Sequence, residues 1–148
     1  MLQPPTFRSY TSTDRQRCLA LFDANCPEFF AVNEREEFLA FLDADAASYL
    51  VCERDDAVVG AFGLRAEGAG RSRIRWIKLA PSAQGQGLGR AVMEHAIRVC
   101  GSGGDHTLAI AASHKSAPFF ARFGAQEVGR SENGWGPGMH RVDMELLL

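Results

Sequence analysis

The sequence predicts one α/β domain, spanning residues 1–148, that is built on a mixed β-sheet. A length of 148 residues is that of a single domain. Apolar residues alternate at strand spacing in some segments and recur at helical spacing in others. In chain order these segments read β-α-α-β-β-β-α-β-α-β-β, which is typical of an α/β domain. A hydrophobic content of 46% supplies the side chains for a core.

The first three elements are a strand and two helices. A short strand is predicted at Phe7–Tyr10. Thr13 and Gln16 form a capping box before the first helix, and Asn33 and Glu36 form another before the second. We expect both helices to pack an apolar stripe on the sheet.

Three strands with short turns follow, and they predict an antiparallel meander at Ser48–Glu53, Ala57–Leu64 and Arg71–Ala80. In the third strand the apolar phase shifts after Trp76. A β-bulge near Trp76–Lys78 would explain the shift. A strand that is buried on both faces at its end would explain it equally well.

The second half of the chain alternates helices and strands. A helix that is apolar on most of its circumference is predicted to be well buried, and Gly124 ends a short aromatic helix. The predicted elements are a helix at Ala91–Cys100, a strand at Thr107–Ala112, a helix at Ser116–Phe123, and strands at Ala125–Arg130 and Met139–Leu147.

The net charge of −2 excludes a strongly basic nucleic-acid-binding protein and a highly charged disordered segment. The charge is unevenly distributed: residues 1–67 carry 6 basic and 12 acidic side chains, and residues 68–148 carry 10 and 6. This division suits two ligands of opposite charge, although solvated faces alone also produce it.

The four cysteines lack the spacing of a zinc site or of a CxxC motif, so we expect reduced thiols and no metal: Cys18, Cys26, Cys52 and Cys100. Residues 1–8 show no secretory leader, and no segment reaches the ~18 apolar residues of a membrane span. The sequence therefore predicts a cytoplasmic protein without a membrane partner.

A glycine-rich segment, Gln84–Gly89, lies between a predicted strand and a predicted buried helix. Glycines let a phosphate approach the backbone, and the start of the helix supplies free N–H groups. The segment is not a Rossmann fingerprint, because Arg90 stands where the last glycine belongs. It is not a Walker A loop either, because Gly89 is followed by Arg90 rather than by Lys-Ser/Thr.

The pattern Gln84-x-x-Gly87-x-Gly89 resembles the signature of the GCN5-related N-acetyltransferases, which bind the pyrophosphate of acetyl-CoA there. The apolar strand that ends in Leu79-Ala80-Pro81 and the segment Ser116–Ala125 are similar to neighbouring motifs of that family. The resemblance covers nearly the whole chain.

The resemblance implies an acyl donor, acetyl-CoA, and direct attack on it by an amine. Backbone groups of Leu79 and Ala80 would hold the pantetheine arm, and the Leu79 N–H would polarise the thioester carbonyl. Ser113 or His114 stands where the family commonly has a pantetheine-contacting Asn, and Phe120 stands where it often has a general-acid Tyr. The loop residues that would bind the cofactor are Gln84, Gly85, Gln86, Gly87, Leu88, Gly89 and Arg90.

Two residues are candidates for the general base. Glu28 lies in the loop between the first two helices, and the alternative is a solvated loop glutamate. His140 begins the last strand after a glycine-rich turn that contains Trp135, and an imidazole titrates near neutral pH. An ordinary hairpin is the alternative there.

These features predict an acetyl-CoA-dependent N-acetyltransferase that acts on a small-molecule or peptide amine. The acidic half of the chain favours a cationic acceptor, with Arg73, Arg75, Lys78, Arg90 and Lys115 around the anionic cofactor. The alternative is a non-catalytic acyl-CoA sensor or interaction module with the same fold. The apolar tail Leu146–Leu148 suggests a homodimer.

Overall fold

The computed structural model describes residues 3–148, so Met1 and Leu2 of the N-terminal segment lie outside the described residues. The described elements follow the predicted order. They are β1 (Thr6–Ser9), α1 (Arg15–Ala24), α2 (Glu34–Ala44), β2 (Tyr49–Arg54), β3 (Ala57–Gly68), β4 (Arg71–Leu79), α3 (Leu88–Ser102), β5 (Thr107–Ser113), α4 (Ala117–Ala121), β6 (Gln126–Gly136) and β7 (Met139–Leu147).

The strands form one sheet in the order β1-β2-β3-β4-β5-β7-β6. The pairs from β1 to β4 are antiparallel, which confirms the meander. β4 and β5 are parallel, and α3 connects them. The sheet is therefore mixed, as the sequence predicts.

Apolar side chains cover both faces of the sheet and form two cores. One core lies under α3, whose Leu88, Val92 and Ala96 recur at helical spacing and are buried. The other lies under α1 and α2, where Phe22 and Phe38 are fully buried. Burial of a side chain of this size stabilises the fold by roughly 1.5–3 kcal/mol.

Both predicted capping boxes are wrong by a few residues. The Thr11 N–H donates to the carboxylate of Asp14, which starts a short 3₁₀ turn ahead of α1. Before α2, the Ala31 N–H donates to the carboxylate of Glu34, while the Asn33 side chain donates to the hairpin instead. Sequence spacing offers several overlapping boxes, and tertiary partners select among them.

The β-bulge predicted in β4 is present. Two steps along β3, from Ala61 to Gly63, face three steps along β4, from Lys78 to Arg75. The extra residue places Trp76 at a φ of 48°, in the left-handed region. After the bulge, Lys78 and Trp76 face α1 and α2, whereas Ile77 and Leu79 pack on the α3 side.

Within residues 3–148 no helix has the length and apolar character needed to cross a membrane. The four thiols are free, and three of them are buried. The leucines of the C-terminal tail differ, because Leu146 is buried whereas Leu147 is exposed. The structure contains one chain, so the homodimer stays a prediction.

Candidate active site

The site begins where β4 and β5 separate. The two strands pair from Arg71 to Ile74, opposite Thr107 to Ile110. β4 then continues to Leu79 beside β3 alone, and β5 continues to Ser113 beside β7 alone. Their backbone edges therefore leave polar groups in the gap that do not satisfy one another.

The end of β4 directs one N–H group into this gap. The Ala80 N–H donates to the Val59 carbonyl at 2.7 Å, which makes Gly60 and Leu79 a non-hydrogen-bonded pair. The N–H of Leu79 consequently points away from β3. Its carbonyl accepts a 2.9 Å hydrogen bond from the side chain of Asn25, which ties the end of α1 to the rim. The Leu79 N–H therefore points into the gap, whereas the Ala80 N–H is hydrogen-bonded within the sheet.

The glycine-rich loop follows directly and opens toward solvent. Gly85 and Gly87 have φ angles of 75° and 77°, and a Cβ atom on either would meet no atom of residues 3–148 within 4 Å other than those of its chain neighbours. The first backbone hydrogen bond of α3 runs from the Ala91 N–H to the Gly87 carbonyl. The N–H groups of the first helical turn, Leu88–Arg90, are therefore left without a backbone acceptor. Such groups at a helix start suit a phosphate.

The aromatic helix α4 places a different phenylalanine beside the loop than the resemblance implies. Phe120 is buried in the core. Phe119 lies against the loop, with its Cε1 atom 2.6 Å from where a Cβ on Gly89 would stand. Ser113 is also buried, and its N–H donates to the hydroxyl of Ser116. Sequence reasoning missed Phe119, which neighbours the aligned position.

A cavity of about 340 Å³ lies between the α1–α2 loop and the turn that joins β6 to β7. The turn fits closely against the loop, because a Cβ on Gly136 would overlap the Asn33 side-chain oxygen. Asn33 also donates to the Trp135 carbonyl. The lining residues are Pro27, Ala31, Val32, Asn33, Lys115, Pro137, Gly138 and Met139, of which Lys115 is the charged one.

His140 pairs with His114 near this cavity. The ring centroids are 4.7 Å apart, and the backbone N–H of His140 donates to Nδ1 of His114. The Nδ1 atom of His140 accepts a hydrogen bond from the Asn133 N–H at 3.0 Å. A neutral imidazole with its Nδ1 lone pair so engaged carries its proton on Nε2. In this arrangement His140 presents its Nε2–H as a hydrogen-bond donor, and its Nδ1 lone pair is already engaged by the Asn133 N–H.

The two glutamates of the α1–α2 region differ in environment. Glu28 is exposed and lies next to Pro27 of the cavity lining. Glu34 is buried, and its carboxylate accepts the N–H of Ala31 at 2.8 Å. Burial raises the pKa of Glu34 to about 7. Sequence reasoning missed Glu34, because a glutamate in the first turn of a helix is ordinarily exposed.

Lys78 is buried inside the domain and does not face a cofactor. Its Nζ lies 3.7 Å from the ring centroid of Phe38 and donates to the Trp76 carbonyl at 2.7 Å and to the Tyr49 hydroxyl at 3.2 Å. Within residues 3–148 no carboxylate forms an ion pair with it. Burial holds the pKa of Lys78 well below its usual range.

Ion pairs within the fold neutralise many of the charged side chains that make the charge distribution uneven. Arg73 pairs with Glu67 and Arg75 with Asp45, so neither arginine lies free beside the loop. Six of the twelve acidic residues in the first half are paired with arginines: Asp14, Asp23, Asp43, Asp45, Glu53 and Glu67. Arg90 is exposed at the start of α3 and pairs with Glu94. Ion pairing therefore accounts for half of the acidic side chains in the first half of the chain, and the cationic acceptor stays a prediction.

Comparisons with known proteins agree with this architecture. The chain matches the model of the "Acetyltransferase (GNAT) family" over residues 18–125. No curated protein matches it. Among solved structures, Ard1 from Thermoplasma volcanium superposes with a TM-score of 0.82 at 14% identity, over 99% of either chain.

Two further structures carry more specific names. The ribosomal-protein-S18-alanine N-acetyltransferase from Escherichia coli gives a TM-score of 0.77 at 18% identity, over 97% of this chain and 93% of that one. The N-acetylglutamate synthase from Neisseria gonorrhoeae, complexed with coenzyme A and N-acetyl-glutamate, gives 0.77 at 20%, over 99% of this chain and 35% of that one. At these identities the structures confirm the fold.

Proposed function

The chain belongs to the GNAT family of acetyltransferases, and on this basis we propose that it transfers an acetyl group from acetyl-CoA to the amine of an acceptor. The observation that supports the proposal most directly is the continuity of two features. The gap between β4 and β5, with the inward N–H of Leu79, runs into the open glycine loop at Gly85 and Gly87. An extended arm that ends in a pyrophosphate matches this sequence of backbone donors.

In the proposed reaction the acceptor amine attacks the thioester carbonyl, a C–N bond forms, the C–S bond breaks, and one proton passes from the amine to the departing thiolate through intermediate groups. The Leu79 N–H stabilises the negative charge that develops on the carbonyl oxygen. The N–H groups of Gln86–Arg90 and the dipole of α3 hold the pyrophosphate. Gln84 and Gly85 shape the turn before them.

Proton transfer would fall to groups around the cavity. Glu34 has a pKa of about 7, which suits a base at neutral pH, although it needs a water or a small movement to reach the cavity from its buried position. Glu28 is the exposed alternative. The Nε2–H of His140 would donate a hydrogen bond to the departing thiolate, and α4 contains no tyrosine for that role.

A non-catalytic acyl-CoA sensor is the second candidate, and Phe120 favours it. That residue stands at the family's Tyr position, is buried and has no hydroxyl group. The loss of a positioned proton donor typically costs ~10²–10⁴ in rate. A sensor would retain the cofactor loop and release no thiol in the presence of amines.

Free thiol, measured after incubation with acetyl-CoA and a panel of amines, separates these candidates. The panel contains monoamines, diamines and amino acids. Cationic acceptors are not favoured in advance, because the cavity lining within residues 3–148 includes Lys115 and no carboxylate. Amine-dependent thiol release supports the transferase. Binding of acetyl-CoA without release across the panel supports the sensor.

The position of the cofactor is tested by Gly87→Glu, which places a carboxylate and a Cβ where the pyrophosphate would lie. Gly104→Glu is the matched control: it makes the same substitution at a glycine of positive φ in open space, at the other end of α3. We expect acetyl-CoA affinity to fall by more than tenfold in the first variant and to be retained in the second. Equal affinity in both would place the cofactor elsewhere.

The proposed base is tested through the pH–rate profile. Glu34→Gln is expected to remove the rise in rate through about pH 7, and Glu28→Gln to leave it intact. The reverse result would assign the base to Glu28, and an unchanged profile in both variants would exclude both residues.

A further inference from the structure

Arg54, at the end of β2, has an unusual environment for an arginine. It is 8% exposed, and it is the one buried arginine among residues 3–148. In that part of the chain no carboxylate lies within ion-pair distance of it, although eleven ion pairs join other charged residues. A buried charge is ordinarily paired, because desolvation without a counter-charge is costly. The environment of Arg54 therefore lacks an anion.

The partners of this guanidinium point to where that anion belongs. The Nη1 group of Arg54 donates to the side-chain oxygen of Gln86 at 2.9 Å, and Nη2 approaches the Gln86 carbonyl at 3.5 Å. Nε donates to the carbonyl of Gln3, in the segment before β1. Two of the three contacts thus go to the glycine-rich loop. The arginine crosses from the β2–β3 turn to the loop that precedes α3.

The contact with Gln86 also orients the backbone of the loop. A trans peptide directs its C=O and its N–H to opposite sides. With the Gln86 carbonyl turned toward Arg54, the N–H of Gly87 points away from the arginine and toward the open side of the loop. Gly87 holds its φ of 77° there, and no atom of the described residues, its chain neighbours aside, lies within 4 Å of its Cβ position.

We propose that Arg54 is a cofactor-positioning residue: it holds the side chain and carbonyl of Gln86 so that the N–H of Gly87 faces the pyrophosphate of coenzyme A, and its buried positive charge lies behind the loop and offsets the charge of that anion. This inference rests on the proposed function. It adds to the loop's backbone donors a fixed positive charge from a different part of the sheet. Arg90, by contrast, is exposed and paired with Glu94.

The test compares Arg54→Met with Arg98→Met, which removes one positive charge from the exposed face of α3, roughly 15 Å along the helix from its start. Three probes are titrated: coenzyme A, 3′-dephospho-CoA, which retains the pyrophosphate, and S-acetylpantetheine, which lacks it. For Arg54→Met we expect about 10- to 100-fold weaker binding of the first two probes and unchanged binding of the third. Arg98→Met should bind all three as the wild type does. Arg54→Lys, which keeps the charge without the planar fork, should lie between.

Thermal unfolding separates this role from a purely structural one. Removal of an unpaired buried charge should leave the melting temperature of the free protein unchanged or raised, while the stabilisation by coenzyme A is lost. A lower melting temperature of free Arg54→Met, with equal loss of all three probes, would show a structural role and overturn the proposal. Wild-type affinity for coenzyme A in Arg54→Met would overturn it as well. If the wild type itself bound no coenzyme A, the proposed function would fail and this inference with it.

Discussion

Lys78 gives the sharpest prediction about the stability of this fold. Its amine is enclosed by Phe30, Phe38, Tyr49 and Trp76 and bonds to a carbonyl and a hydroxyl rather than to a carboxylate. The aromatic faces attract an ammonium group but do not replace its hydration. The pKa of Lys78 therefore lies well below 10.5 in the folded protein and near that value in the unfolded chain.

The sign of the pH dependence follows from this difference. Between the two pKa values the unfolded chain binds a proton that the folded protein does not, so Lys78 destabilises the fold, and the destabilisation shrinks as the pH rises toward 10.5. One proton corresponds to about 1.4 kcal/mol per pH unit. Lys78→Met removes this proton and keeps an unbranched apolar chain. The variant's advantage in free energy of unfolding should therefore decline by up to about 1.4 kcal/mol for each unit between pH 7 and pH 10.

Urea denaturation at half-unit steps from pH 7 to pH 10 measures this slope. The nearby titratable groups Glu34, Cys18 and Tyr49 remain in both proteins, so their common contributions largely cancel in the difference. Lys115→Met is the matched control, because Lys115 is the other lysine of the chain and is exposed. We expect the difference in free energy of unfolding between the wild type and Lys115→Met to stay constant with pH. A difference between wild type and Lys78→Met that stayed constant with pH would mean that Lys78 keeps its proton in the folded protein, and the reasoning would be refuted.

Three further predictions concern other parts of the fold. Hydrogen bonds from Arg8 lower the pKa of buried Asp14 to about 2. The stability that the Asp14 carboxylate contributes is therefore present above about pH 4 and is lost as the pH falls from 4 to 2. Acid titration of Asp14→Asn should lack this loss of stability. Gly136→Ala should drive a methyl group into Asn33, cost ~1–3 kcal/mol in urea denaturation and weaken acceptor binding more than acetyl-CoA binding. Alkylation of the folded protein at pH 8 should modify Cys26 first, as read by mass spectrometry, because the other thiols are buried.

Local signals in the sequence were sufficient to predict the scaffold and the glycine-rich loop. Strand alternation, the short turns of the meander and the phase shift at Trp76 are properties of neighbouring residues, and the structure follows them. The positive φ angles of Gly85 and Gly87 are local features of the same kind, since they depend on the glycines themselves. Such features depend on backbone geometry within a few residues, which composition and spacing encode directly.

The chemistry of the site was harder to predict because it depends on residues distant in the chain. A lysine in a strand and a glutamate in the first turn of a helix are ordinarily solvated, and neither pattern separates Lys78 or Glu34 from exposed counterparts. Their burial arises from aromatic side chains of α2, β2 and the α1–α2 loop. The whole-chain charge count overstates the free charge for a related reason, since arginines brought close by the fold pair with six of the acidic side chains of the first half.

A single inserted residue in β4 connects the buried lysine with the proposed active site. The bulge at Trp76 reverses the side-chain phase of the strand, so Lys78 enters the aromatic core while Leu79 packs toward α3. The Tyr49 hydroxyl and the Lys78 amine both donate to the Trp76 carbonyl, which stabilises the left-handed residue at this point. Beyond it, β4 no longer pairs with β5, and the N–H of Leu79 faces the gap. Tyr49→Phe, which removes one of these donors without changing the core volume, should therefore slow acetyl transfer more than it weakens binding at the distant glycine loop.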